Sequence, residues 1–183
     1  MKIILASQSP RRQELLRWLV PDFVIEPADI DEEVKTLYPP EEYVQLMAKE
    51  KAALSAKKHP QDLVIACDTI VALNGKVLGK PKDRADAFTM LQQLSGTQHE
   101  VYTAVVLRRG EQLVKELTQA TVTFFSLTKG EIDRYLDTGD YQDKAGAYGI
   151  QHEAGVFVKE IKGDYYSIVG FPVGVVNQLL KKF

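Results

Sequence analysis

Between Leu63 and Leu73 the chain reads LVIACDTIVAL, an apolar run broken once, by Asp68 and Thr69. The unbroken stretch Leu63 to Cys67 predicts a central strand buried on both faces. Ile70 to Leu73 resumes the run. Asn74-Gly75 then joins Val71-Ala72-Leu73 to Val77-Leu78, a strong two-residue hairpin signal. Asp68 accordingly follows a buried strand, where ligand sites of α/β sheets tend to lie. An ionised carboxylate inside an apolar run is costly unless a metal or a cation meets it.

The remaining segments supply elements of both kinds. Lys2 to Ala6 predicts a short buried strand, Ser7 to Ser9 a loop, and Pro10 the start of a helix whose apolar face includes Leu15, Leu16 and Leu19. Phe23 to Ile25 reads as a second strand, followed by the acidic loop Asp29 to Glu33. Pro39 and Pro40 precede a helix of about 18 residues, with Tyr43, Met47, Lys51 and Leu54 at helical spacing. Asp83 caps a helix running to Leu94, with Gly96 as its stop. Val101 to Leu107 and Leu113 to Phe125 predict long strands turning at Arg109-Gly110. Thr128 and Glu131 form a capping box for a helix ending near Gly139. After a loop from Asp140 to Gln151, two strands are expected, around Val156 to Ile161 and Tyr165 to Val169. Pro172 opens the last helix. Early alternation followed by a strand meander predicts an α/β fold with a mixed, twisted sheet and flanking helices. Its 183 residues suit one domain spanning 1–183, or two small lobes sharing a cleft.

Composition narrows the function classes. The formal net charge of −2 argues against a binder of polymeric nucleic acid, so phosphate recognition has to be local. A single cysteine, Cys67, excludes an intrachain disulfide and is consistent with a reducing compartment. Inside an apolar run it reads as a small buried hydrophobe. The N-terminal apolar stretch is too short for a signal-peptide core, and no segment approaches the ~20 apolar residues of a membrane span. The chain is expected to be cytoplasmic, with no membrane partner. Neither the P-loop pattern nor the dinucleotide-binding glycine fingerprint occurs.

Phosphate chemistry is nevertheless visible at Ser9-Pro10-Arg11-Arg12. Ser9 is a good N-cap and Pro10 fits the first helical position. Free N–H groups and the helix dipole favour an anion there. Arg11 and Arg12 add forked donors suited to phosphate oxygens, and Ser7 and Ser9 add hydroxyls. Cations at a helix N-terminus oppose the dipole, a conflict that an acidic ligand relieves. The competing reading is an ordinary capped helix with two solvated arginines. Asp31 and Glu32 also follow a strand, and with Asp68 they could converge on Mg²⁺; alone, they read as a solvated turn. Lys80, in Leu78-Gly79-Lys80-Pro81, and Lys51, between Ala48 and Ala52, are either phosphate lysines or surface lysines. The small-residue segment Asp143 to Gln151 is a flexible loop or else a lid that recognises a base. His59, His99 and His152 lack metal-ligand spacing and read as structural or surface residues.

Together these segments resemble a known family. ASQSPRRQELL, AKEKA, ACDTIVALNGKVLGKP, SGTQHEVYTAV, DKAGAYGIQ and GDYYSIVGFPV occur in order between Ala6 and Val173. The chain resembles the Maf family of nucleoside triphosphate pyrophosphatases. That resemblance implies a fold similar to the inosine-triphosphate pyrophosphatases, a long mixed sheet with two lobes around a cleft. It implies hydrolysis of a nucleoside triphosphate to monophosphate and pyrophosphate, assisted by a divalent cation (Mg²⁺, Mn²⁺ or Co²⁺). Asp68 becomes the proton acceptor, with Ser7, Arg11, Arg12, Glu32, Lys51 and Lys80 lining the polar site and Glu32 joining Asp68 at the metal. Arg11, Thr69 and Gln151 match the branch acting on dTTP and UTP rather than the 7-methyl-GTP branch. An amide such as Gln151 suits a uracil or thymine edge because it both donates and accepts. A homodimer is compatible with the resemblance. So is a second function class, a nucleotide-binding regulator of septum formation with little turnover.

Overall fold

The computed structural model describes residues 1–28, 30 and 38–183. In chain order the elements are β1 (Ile3–Leu5), α1 (Pro10–Arg17), β2 (Val24–Ile25), α2 (Pro40–Lys58), β3 (Leu63–Leu73), β4 (Lys76–Leu78) and α3 (Arg84–Leu94). They continue with β5 (Gln98–Arg109), β6 (Gln112–Phe124), α4 (Lys129–Asp137), β7 (Val158–Lys162), α5 (Tyr165–Val169) and α6 (Val173–Leu180). Among the described residues the strands form one sheet in the order β2-β1-β3-β5-β6-β7, with β4 also on β3. β1 runs parallel to β2 and β3, whereas β3, β5, β6 and β7 are antiparallel. The mixed sheet with flanking helices is the expected architecture.

Two expectations are corrected. Asp68 does not follow a strand; it lies within one. β3 is a single strand of 11 residues, and Asp68 and Thr69 stay in register opposite Ala104 and Thr103 of β5. Pairing with the long β5 carries the backbone through the polar pair. Tyr165 to Val169 is not a strand but the short helix α5. Aromatic and β-branched residues there favour a strand, but local capping prevails. The Asp164 side chain accepts from the Tyr166 and Ser167 N–H groups, and Gly170, at φ 110°, closes the turn in the left-handed region.

Strand alternation divides the core between the two faces of the sheet. Val64 and Ala66 of β3 pack with Ile4, Ala104 and Val106 under Tyr43, Val44, Met47, Ala48 and Ala52 of α2. Ile65 and Cys67 point the other way, into a larger core with Leu15 and Leu16 of α1, Leu91 of α3, Leu136 of α4 and Val176 of α6. Cys67 is fully buried, and burial pushes its thiol up to about 11, so it behaves as the small hydrophobe its context suggests. No helix among the described residues is long and apolar enough to cross a membrane.

His99 sits in the larger core with no solvent exposure. Its Nε2 lies 2.7 Å from the Tyr148 hydroxyl, and its ring meets Phe124 edge to face. Burial pulls its pKa down to about 4 from an ordinary value of 6.5. The unfolded chain therefore takes up this proton first as the pH falls. Stability is complete above about pH 6.5 and declines towards about pH 4, with a loss of about 3 kcal/mol from this residue. Urea midpoints measured across that interval should fall more steeply for the native protein than for His99→Leu. Equal slopes would contradict the assignment.

Candidate active site

The sheet forks on one side of β3. β1 pairs with Leu63 to Ile65, and β4 pairs with Val71 to Leu73. Among the described residues, positions 66–70 of β3 have β5 on one edge and no strand on the other. A cleft of about 690 Å³ opens at this gap. It is lined by all eight of Ser7, Arg11, Arg12, Lys51, Asp68, Thr69, Lys80 and Gln151. Glu32, like Asp31 and Glu33, lies outside the described residues.

Asp68 and Thr69 point to opposite faces of the sheet at the fork. Asp68, only 8% exposed, accepts from Lys51 of α2, with Oδ1 2.7 Å from Nζ. Lys51 is buried as well, so it is not a surface lysine. The cation demanded by the apolar run comes from a helix packed on the face opposite Thr69. Two charges held this close in a partly dry setting attract far more strongly than in water.

The two arginines of α1 separate in role. The Arg12 Nε–H donates to the Gly170 carbonyl at 2.8 Å. Nη1 donates to the Cys67 carbonyl at 2.9 Å and to the Ser7 hydroxyl at 3.3 Å, and Nη2 to the Thr69 hydroxyl at 3.2 Å. A guanidinium has five N–H donors, and four contacts within the protein occupy most of them. Arg12 therefore spans the fork, tying α1, β3 and the end of α5 together. Gly170 leaves room for this: a Cβ there would come within 3.3 Å of the Thr69 hydroxyl and 3.7 Å of the Arg12 guanidinium. Arg11 is half-buried and makes no hydrogen bond or ion pair among the described residues. Burial first, and then the adjacent Arg12 charge, lower its pKa, while Asp140 opposes the shift. With no partner among the described residues, its N–H donors can meet an anion. At the helix start itself, the Ser9 hydroxyl accepts from the Arg12 N–H, as its N-cap position requires.

The segment Asp143 to Gln151 is packed rather than loose. Ala147, Tyr148 and Ile150 are buried. The Gly146 N–H donates to the Gly79 carbonyl at 3.1 Å, and a Cβ on Gly146 would meet Val71 at 3.0 Å. The Gly79 backbone thus helps to hold this segment against β3. Asp140, which sequence reasoning did not single out, anchors the base of the segment. It accepts from Lys144, from the Tyr135 hydroxyl at 3.3 Å, and lies 3.2 Å from His152 Nδ1. Only the i, i+4 spacing of Asp140 and Lys144 hints at this anchor. Gln151 projects from the same segment at the rim, exposed to the cleft.

Among the described residues no group of three or more metal-ligating side chains comes together. Asp68 supplies one carboxylate to the cleft. Mg²⁺ and similar ions are often held by one or two carboxylates, with substrate phosphates and water completing the shell. The described donor set fits a cation that arrives with a polyphosphate.

Residues 2–183 match the sequence profile described as Maf-like protein. The chain belongs to the Maf family. A Latilactobacillus sakei relative named dTTP/UTP pyrophosphatase is 46% identical, the match covering 97% of this chain and 98% of that one. Relatives of the same name from Clostridium botulinum and Bacillus pumilus are 48% and 45% identical, covering 97% and 100% of this chain and 95% and 96% of theirs. Among solved structures, a HAM1 protein from Coxiella burnetii superposes with a TM-score of 0.56 at 15% identity, covering 100% of both chains. The Staphylococcus aureus Ham1 protein gives 0.55 at 15% identity, covering 100% of this chain and 99% of that one. Those two likenesses establish a shared fold. Family membership bears out the resemblance carried by the motifs. Arg11, Thr69 and Gln151, the positions expected to mark the branch, line one cleft with Asp68.

Proposed function

We propose that this chain hydrolyses dTTP and UTP to the nucleoside monophosphate and pyrophosphate, with the help of a divalent cation. The supporting observation is the fork cleft. It holds a buried Asp68–Lys51 pair, a capped helix N-terminus and the under-committed Arg11, in a family whose relatives carry that activity in their names.

The triphosphate lies along the start of α1. Arg11, Lys51 and Lys80 offset its charge, the Ser7 hydroxyl offers it a hydrogen bond, and α1 contributes its N-terminal dipole. Water attacks the α-phosphorus, forming a new P–O bond, and Asp68 accepts its proton. The bond to the β-phosphate oxygen breaks, and pyrophosphate leaves with the electron pair. Lys51 balances the buried charge of Asp68 before the proton arrives. Asp68 and, by the family resemblance, Glu32 would hold a divalent cation, which would supply charge neutralisation at the phosphates. Arg12 contributes by holding Ser7, Cys67, Thr69 and Gly170 in place. Gln151 offers its amide to the base edge, where paired hydrogen bonds discriminate well.

Hydrolysis of UTP in ¹⁸O-labelled water tests the direction of attack. One label is expected in UMP and none in pyrophosphate. Label in pyrophosphate would place the attack at the β-phosphorus and overturn this mechanism.

A further inference from the structure

A second polar chain runs from the cleft into the core. The Thr69 and Thr103 hydroxyl oxygens lie 2.9 Å apart, directly across the β3–β5 pair. Thr103 is fully buried, and its hydroxyl donates to the Ser167 carbonyl at 2.8 Å. A carbonyl brings no hydrogen, so the proton in that contact belongs to Thr103. A hydroxyl has one proton. The proton between the two threonines must then come from Thr69. On its other side, Thr69 accepts from Arg12 Nη2 at 3.2 Å. The Thr69 hydroxyl therefore has its donor spent and one lone pair taken. What it offers the cleft is a single acceptor site.

We infer that Thr103, which does not line the cleft, is a positioning residue that makes Thr69 an acceptor-only contact and so selects a nucleobase carrying a ring N–H donor. This inference rests on the proposed function and deepens it. Uracil and thymine carry an N–H at ring position 3, whereas cytosine carries a bare nitrogen there. An acceptor facing the first is satisfied; facing the second, it leaves two acceptors opposed and unpaired. Thr69 lies on the sheet face away from Asp68 and Lys51, in a cleft wall shared with Ile150, Val169 and Gly170. That wall suits a base, while the paired charges sit across the sheet. The polarity is set from the core: Ser167 fixes Thr103, Thr103 fixes Thr69, and Arg12 closes the chain from the solvent side.

The test compares kcat/KM for UTP and CTP in the native protein, Thr103→Val and Thr103→Ser. Valine keeps the shape of threonine but frees the Thr69 proton, which can then be donated into the cleft. The Ser167 carbonyl keeps the Gly170 N–H at 3.0 Å as a partner, so the turn does not depend on Thr103. The UTP-to-CTP ratio should fall about tenfold or more in Thr103→Val and stay within about twofold of native in Thr103→Ser. If the valine variant does not fold, Thr103→Ala is expected to show the same fall. A purely structural role would lower both substrates together and leave the ratio unchanged, which overturns the inference. Failure of the native protein to cleave UTP would overturn the functional reading itself. Native preference for UTP that survives in Thr103→Val would overturn only the role of Thr103.

Discussion

Asp68→Asn is expected to abolish most pyrophosphate release from UTP while leaving the fold intact. The substitution keeps the size of the side chain and an oxygen that can still accept from Lys51, now 2.7 Å from Asp68 Oδ1. It removes the basic lone pair that takes the proton of the attacking water. General-base catalysis contributes about 10²–10⁴-fold, and a loss in that range is expected in kcat. A carboxylate that also steadies a metal would add to the loss. The thermal transition should remain cooperative, because the buried lysine keeps a hydrogen-bond partner. Turnover within about twofold of native would remove Asp68 from the chemistry.

Arg12→Lys should damage stability as well as activity, unlike Arg11→Lys. An ammonium has three donors and no planar fork. It cannot reach the Gly170 and Cys67 carbonyls, the Ser7 hydroxyl and the Thr69 hydroxyl together, as the guanidinium does. Charge-assisted bonds to partly buried acceptors are lost, at a cost of about 2–4 kcal/mol. For a chain of this length that corresponds to a melting temperature lower by about 5–15 °C. Arg11 makes no such contacts among the described residues, so Arg11→Lys should weaken substrate use with little thermal shift. Equal melting temperatures for the two variants would show that Arg12 is a ligand arginine rather than a clamp.

This contrast marks where sequence reasoning stopped. In the sequence, Arg11 and Arg12 are equivalent neighbours after a good N-cap. About 100° of helical rotation per residue gives the two different partners: Arg12 meets the backbone and hydroxyls of the fork, while Arg11 stays without a hydrogen bond among the described residues. Which is which depends on Cys67 and Gly170, distant in the chain, and no local pattern encodes that. Asp68 was legible because a carboxylate in an apolar run demands a partner. Lys51 was legible only as one of two lysines among small neighbours, since its pairing across α2 and β3 is a tertiary fact. The continuity of β3 was hidden because Asp68 and Thr69 look like a break until β5 is placed alongside. Tyr165 to Val169 went the other way: β-propensity was strong, and the Asp164 cap with the left-handed Gly170 overrode it. Thr103 carried no signal, since a threonine in a strand is ordinary until its hydroxyl partners are known. Hairpin, caps and meander were readable because each depends on residues a few positions apart.

The most direct measurement is a pyrophosphate-release screen of the native protein. UTP and dTTP would be compared with CTP, ATP, GTP and 7-methyl-GTP, in Mg²⁺, Mn²⁺ and Co²⁺ in turn. The expected result is metal-dependent release of pyrophosphate and monophosphate in equal amounts, with UTP and dTTP preferred over every other nucleotide. Tight nucleotide binding without turnover, or a preference for 7-methyl-GTP, would contradict it.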